Sequence, residues 1–262
     1  MKVFFKDLRK YFKYVAYATK SNLKTEVANS YLNWIWWILD PMCFMLVYTF
    51  VVKCVFKSNE PNYPVFVLIG LTAWNFFSAC LNSSVKLVVS NKAIVSRVYI
   101  PKYILILVKM FTLLFKMFIS FMLNIIFMIA FKIPFTIYSL QIIPVFIVLF
   151  ILVFGISTIF MHFGVFVEDL SNFTVIILKL VFYLSGIFYL VSTRVPAPYN
   201  KMLLTINPIA YLIEQARNAL LYSNPVGDPL IMVLWIIIGL VLIFIGIKTI
   251  YKYENSYVKV IK

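Results

Sequence analysis

The chain has 262 residues, of which 63% are hydrophobic and only 13% charged, with a formal charge of +15. A mean hydropathy of +0.97 excludes a soluble globular domain, and apolar runs that are continuous rather than alternating exclude a β-barrel. What remains is an all-α polytopic membrane protein, whose basic surplus belongs beside anionic lipid headgroups rather than on nucleic acid.

In chain order, residues 2–16 place Phe4, Leu8, Tyr11, Phe12 and Val15 at helical spacing, with Lys6, Arg9, Lys10 and Lys13 between them. Such a basic amphipathic helix lies on a membrane surface, and residues 1–30 are assigned to this cytoplasmic interfacial element. No cleavable signal is visible ahead of it. Six spans follow within a single domain, residues 31–262. They are predicted at about 31–52, 64–85, 102–131, 140–167, 173–190 and 230–247. Trp34, Trp36 and Trp37 fit an aromatic belt at the entry of the first span, and Asp40–Pro41 sets a carboxylate and a helix irregularity inside it. Cys43, Cys54 and Cys80 form neither a disulfide framework nor a zinc site, and no metal is expected.

The segment TINPIAYLIEQARNALLY, residues 205–222, lies between the last two spans and cannot itself cross, because Glu214 and Arg217 interrupt it. It reads as a helix capped by Asn207, with Pro208 in the first turn and Leu212, Ile213, Ala216, Leu220 and Leu221 on one face. Glu214 and Arg217, three apart, are neighbours on that helix and can pair. A helix of this kind is interfacial or re-entrant, and a helical hairpin over about 194–226 is expected between spans five and six.

Orientation follows from Lys and Arg. With the N-terminus inside, residues 2–24, 86–102 and 248–262 hold 15 of them, against 6 on the outer side, over 53–57, at 132 and over 194–217. Both termini are therefore expected in the cytoplasm and the hairpin outside.

Lys102, Lys109 and Lys116 recur every seven residues along one stripe of the third span. Counting from Lys102 at the interface, Lys109 is about 10 Å and Lys116 about 21 Å further in. Lys109 can snorkel. Lys116 is deep enough to need water or a partner, and so is a candidate for a polar pathway, with Asn124 extending its face. Asp40 lies at a depth comparable to Lys109 and is its candidate partner. His162, the only histidine, could serve a membrane acyltransferase as a base, but its surroundings FMHFGVF offer no second catalytic group and favour a structural role. Glu168–Asp169 fall in a predicted turn. Most of the aromatics face lipid or pack between helices, and a minority could stack on sugar rings. None of the seven glycines precedes a lysine, so there is no phosphate loop. The chain is not read as an enzyme, and an ATP-driven function would need a nucleotidase on another chain.

Six stretches taken together resemble the membrane subunits of ABC-2 type exporters of lipid-linked polysaccharide, the O-antigen, teichoic acid and capsule exporters. They are YLNWIWWILDPMCFMLVYTFVV (31–52), FVLIGLTAWNFFSACLNSS (66–84), NKAIVSRVYIPKYIL (91–105), VFVEDLSNF (165–173), FYLSGIFY (182–189) and NPIAYLIEQARNALL (207–221). The family often has Gly before the Arg of the last motif, where this chain has Gln215–Ala216, whereas Lys102 keeps the basic residue after Pro101. The resemblance implies a homodimer in a bacterial cytoplasmic membrane, joined to two cytoplasmic ATP-binding-cassette ATPases that would carry ATP and Mg. It implies that Asn91, Lys92, Arg97, Tyr99 and Pro101, together with Glu168 and Asp169, face the ATPase. Asn207, Pro208, Glu214 and Arg217 would then belong to an outer re-entrant gate. The cargo, a polyprenyl-pyrophosphate-linked glycan, comes from the resemblance alone. An ABC-2 exporter of small amphiphiles and an ion-coupled secondary flippase are the alternatives; the second would usually show an internal repeat, which is not found.

Overall fold

The computed structural model describes residues 2–28, 32–57, 60–225 and 227–261. Among them every regular element is helical. In order these are α1 (Lys2–Ala28), α2 (Asn33–Phe50), α3 (Tyr63–Val85), the short α4 (Leu87–Ser90) and α5 (Lys92–Val95), and α6 (Lys102–Ala130). Then come α7 (Ile142–Phe166), α8 (Leu170–Leu184), α9 (Val191–Arg194), α10 (Tyr199–Ile206), α11 (Pro208–Leu220) and α12 (Pro229–Ile261). Asn29, Ser30 and Tyr31, where the interfacial segment was expected to give way to the first span, lie outside the described residues, as does Val226 at the hairpin's expected end.

Among the described residues, five helical stretches are long and apolar enough to cross a membrane: Trp34–Val55, Tyr63–Val85, Lys102–Ala130, Ile137–Phe166 and Pro229–Tyr257. The expected fifth of six spans differs. Its helix begins at Leu170 and stops at Leu184, 15 residues or about 22 Å of rise, short of a hydrocarbon core of about 30 Å. Gly186, at φ 64°, takes the chain out of helical conformation just beyond. α12, by contrast, runs for 33 residues to Ile261 and carries the expected basic tail as continuous helix.

α3 is the hub. Of its most apolar window 78% is buried, against 11% for the stretch containing α2, because α2, α6, α7, α8 and α11 all pack around it. α7 and α12 form the closest pair. A Cβ on Gly155 would stand 2.9 Å from the Gly239 carbonyl oxygen, and one on Gly246 would overlap the Thr158 hydroxyl. Small residues let the two backbones touch where apolar bulk alone gives no preference over lipid. At the end of the bundle next to α1, Gly164 of α7 packs on the Val85 carbonyl that closes α3. This contact brings the 86–101 connection and the turn at 167–169 to one end. The 185–228 segment and the 3-10 turn Ile137–Gln141 lie at the other.

α1 lies along α6 and is tied to the α6–α12 corner by hydroxyl bonds. Tyr251 and Tyr103 both donate to Asp7 Oδ2, at 2.7 and 3.3 Å. Beside them Lys102, 2% exposed, pairs with Glu254 at 3.5 Å, and Tyr99 donates to Glu254 Oε2 at 3.0 Å. Lys102 is thus a buried ion-pair partner rather than a lysine reaching out to an interface. The reason is that α12 continues far enough to bring Glu254 to it.

Candidate transport pathway

Two cavities adjoin along α3, and a third lies at the other end of the bundle against α2 and the end of α8. Nearest α1, a cavity of about 540 Å³ is bounded by α1, α3, α4 and α6 and lined by Glu26, Asn82, Lys86 and Lys109, among others. A second of about 540 Å³ lies between α2, α3 and α6, with Trp37, Asp40, Asn75, Asn82, Lys116 and Ser120 in its walls. At the far end a third, of about 570 Å³, is enclosed by Tyr48, Val52, Phe56, Tyr183, Phe188 and Tyr189, with Lys57, Glu60 and Arg194 at its polar edge. Asn82 belongs to the first two. Basic side chains line all three, and aromatic ones become more frequent toward the third.

Helical spacing explains how one stripe serves two cavities. Lys109 and Lys116, seven apart, occupy the same side of α6 two turns apart. Lys116 forms an ion pair with Glu26 of α1 and its ammonium lies 5.4 Å from the Trp37 ring. Glu26 lines the first cavity and Lys116 the second, so the pair stands at their boundary. The expected pairing of Asp40 with Lys109 is not formed. Asp40 shares the middle cavity with Lys116, while Lys109 faces the first. Asn124 also departs from expectation. It is fully buried and lines none of these cavities, because its Nδ2 donates to Thr72 Oγ1 of α3 at 2.8 Å and to the Ser120 carbonyl at 2.9 Å. It joins α6 to α3.

At the far end, α10 and α11 are joined by Asn207 alone. Its Oδ1 accepts from the Ile209 and Ala210 backbone N–H groups at 3.1 and 3.2 Å, and Pro208 takes the first helical position. Its Nδ2 donates to the Leu184 carbonyl and Ser185 Oγ, both at 3.2 Å, which docks this junction on the end of α8. α11 is amphipathic in sequence, yet both its faces are buried, including Glu214, Gln215 and Arg217. Protein atoms have replaced water on the polar side. Glu214 and Arg217 do not pair. Glu214 accepts from the Ser192 N–H at 3.3 Å. The Arg217 guanidinium donates to the Phe66, Gly186 and Ile187 carbonyls at 3.1, 2.7 and 2.8 Å and lies over the Phe66 ring at 3.5 Å. It therefore clamps the 186–189 loop, whose Phe188 and Tyr189 wall the aromatic cavity. Phe188 in turn packs against Tyr48 of α2 in a tilted arrangement, with ring centroids 4.4 Å apart. Just past α11, burial and the Glu60 carboxylate push the Tyr222 hydroxyl up to about 12, so it stays protonated and donates to Glu60 at 3.3 Å.

At the α1 end, Lys92, Arg97 and Tyr99 are exposed, as are Glu168 and Asp169 across the Val85–Gly164 contact. Asn91 folds back on the Leu87 carbonyl at 2.8 Å, and Pro101 is buried as the residue preceding α6. The two segments thus share one end of the bundle. His162 holds the Tyr257 hydroxyl through Nδ1 at 2.7 Å, which stitches α7 to α12. Sequence reasoning missed Glu26, Asp7 and Glu254. Each sits in a basic segment where the lysines dominate the pattern, and a lone carboxylate among them was the available signal.

A model of the ABC-2 type transporter family matches residues 15–221. The O-antigen export system permease protein RfbA of Klebsiella pneumoniae is 27% identical over 246 residues, 93% of each chain. A protein of the same name from Myxococcus xanthus is 26% identical over 208 residues, 79% of each. The polysialic acid transport protein KpsM of Escherichia coli is 25% identical over 203 residues, 76% of this chain and 78% of that one.

Proposed function

The chain belongs to the ABC-2 type transporter family, and from that premise we propose that it is the permease of an ATP-driven exporter of lipid-linked polysaccharide. The observation that carries the reading is the set of three cavities, each with basic side chains in its walls and with aromatic rings most frequent in the one farthest from α1. A pyrophosphate-linked glycan needs cations for its head and flat apolar faces for its sugar rings, and the cavity walls supply both. Relatives named for O-antigen export and polysialic acid transport support the cargo class.

In this reading the α1 end is cytoplasmic, both termini lie there, and the membrane is the bacterial inner membrane. Lys92, Arg97, Tyr99, Glu168 and Asp169 face the ATPase, which holds ATP and Mg on two copies of a separate subunit. The α10–α11 hairpin is re-entrant from the outer side. α8, too short to span alone, meets it there, so the two together complete a sixth crossing. The third cavity opens on the side of α2, where Phe44, Val47 and Phe50 are exposed. A second copy of the chain closes it into a channel. Lys116 and Glu26 form a gate between loading and conducting parts of the path. Affinity purification of the tagged chain in mild detergent tests the assignment. A stoichiometric ATPase bearing a phosphate loop is expected. Transport by the chain alone, driven by an ion gradient, would overturn the proposal.

A further inference from the structure

Of the three lysines spaced by seven on α6, Lys102 and Lys116 have carboxylate partners. Lys109, between them, has none among the described residues. It is half-buried and lines the cavity nearest α1. An ionisable side chain held inside a membrane-spanning helix is costly without a partner, and by default marks a site whose partner arrives from outside. Its surroundings say which partner. Lys86, at the end of α3, lines the same cavity, as do the exposed side chains of Asn22 and Asn82, which make no hydrogen bond among the described residues. The one carboxylate in the walls, Glu26, is committed to Lys116. The cavity therefore presents two cations and two amides to an incoming group, with its own negative charge neutralised. At about 540 Å³ it falls within the usual size of a ligand pocket. Tyr14, Leu105 and Val108 give it apolar walls, and α1, with the interfacial pattern of its sequence, forms one side.

We infer that this cavity is a binding site for the phosphoanion head of a membrane lipid, with Lys86 and Lys109 as its cationic ligands and Asn22 and Asn82 as neutral donors. The lipid chain stays in the bilayer while the head enters beside α1. Two lipids carry such a head, a polyprenyl pyrophosphate and an anionic phospholipid. The first identity rests on the exporter reading, and the second does not.

The full-length chain is titrated by native mass spectrometry with undecaprenyl pyrophosphate, undecaprenol and phosphatidylglycerol in separate arms. Lys86→Gln with Lys109→Gln is expected to weaken the pyrophosphate arm at least tenfold, since two charge-assisted contacts are lost. Lys92→Gln, an exposed lysine outside the cavity, should bind as wild type, and undecaprenol should respond to neither. Equal loss in the phosphatidylglycerol arm supports the site and makes a bilayer phospholipid its occupant. Unchanged binding of both phosphoanions by the double variant overturns it. Restoration of surface glycan by the wild-type chain in a strain lacking it separates the two ideas. Restoration with unchanged variant binding removes the site alone, and no restoration removes the exporter reading whatever the binding shows. Lys109→Gln by itself, which breaks no ion pair or hydrogen bond among the described residues, keeps the test valid if the double variant is unstable.

Discussion

Replacing Arg217 by Met probes the clamp at the far end of the bundle. The guanidinium is 1% exposed, and its three shortest hydrogen bonds, 2.7, 2.8 and 3.1 Å, go to backbone carbonyls of two separate segments. Hydrogen bonds to a charged group contribute about 1.5–3 kcal/mol each. The Phe66 carbonyl lies in the first turn of α3 and keeps its helical partner, so most of the loss falls on Gly186 and Ile187. Against this, methionine no longer forces a cation out of water, a desolvation term of several kcal/mol. The net expectation is destabilisation by about 2–4 kcal/mol, two buried carbonyls left without a donor at about 1–3 kcal/mol each less part of that desolvation term. For a chain of this size that corresponds to a fall in Tm of roughly 10 °C. The assay is thermal unfolding of the full chain in detergent, followed by intrinsic fluorescence. Arg217→Lys keeps the charge but replaces a planar fork with a point donor, and should lose about half as much. A melting curve for Arg217→Met within about 2 °C of wild type would refute the assignment of Arg217 as the tie holding the 186–189 loop. Export should fall with the melting temperature in this series, because Phe188 and Tyr189 lose their fixed place in the cavity wall.

Lys116→Gln and Glu26→Gln should each lower stability by no more than about 1 kcal/mol, the ion pair being partly solvated, while changing transport rate. The exchanged pair Lys116→Glu with Glu26→Lys should restore the rate, as read in vesicles with the ATPase present. Gly164→Ala places a methyl group on the Val85 carbonyl and should cost about 1–3 kcal/mol, measured by thermal unfolding, with the ATPase lost from the purified complex. Asn124→Leu should cost about 0.6–1.7 kcal/mol, the range for one interhelical hydrogen bond in a membrane. Its effect on export should be no larger than the stability loss explains, since the residue lines no cavity. His162→Ala should leave export intact and lower Tm by a few degrees through the lost Tyr257 bond, which an acyltransferase would not allow.

Composition alone determined the class, because no soluble fold can cover so many apolar residues, and period and length located the helices for the same reason. The Asn207–Pro208 cap was legible as well, since capping is a local hydrogen-bond pattern that needs only the next three residues. The clustering of the lysine stripe on one side of α6 was equally local. What the sequence could not determine was who meets whom. Glu214 and Arg217 are neighbours by spacing, but tertiary packing offers Arg217 a set of loop carbonyls and Glu214 a backbone N–H, so neither chooses the other. Asp40 and Lys109 match in depth but face different cavities, and Glu26, 90 residues away in sequence from Lys116, takes the place that spacing could not assign. The fifth apolar run looked long enough to span, yet its helix stops at Leu184 where Gly186 turns the chain. Local pattern fixes the backbone's hydrogen bonds, which form within a few residues. Charge partners and cavity walls come from segments 30 to 240 residues apart, and only the packed bundle brings those together.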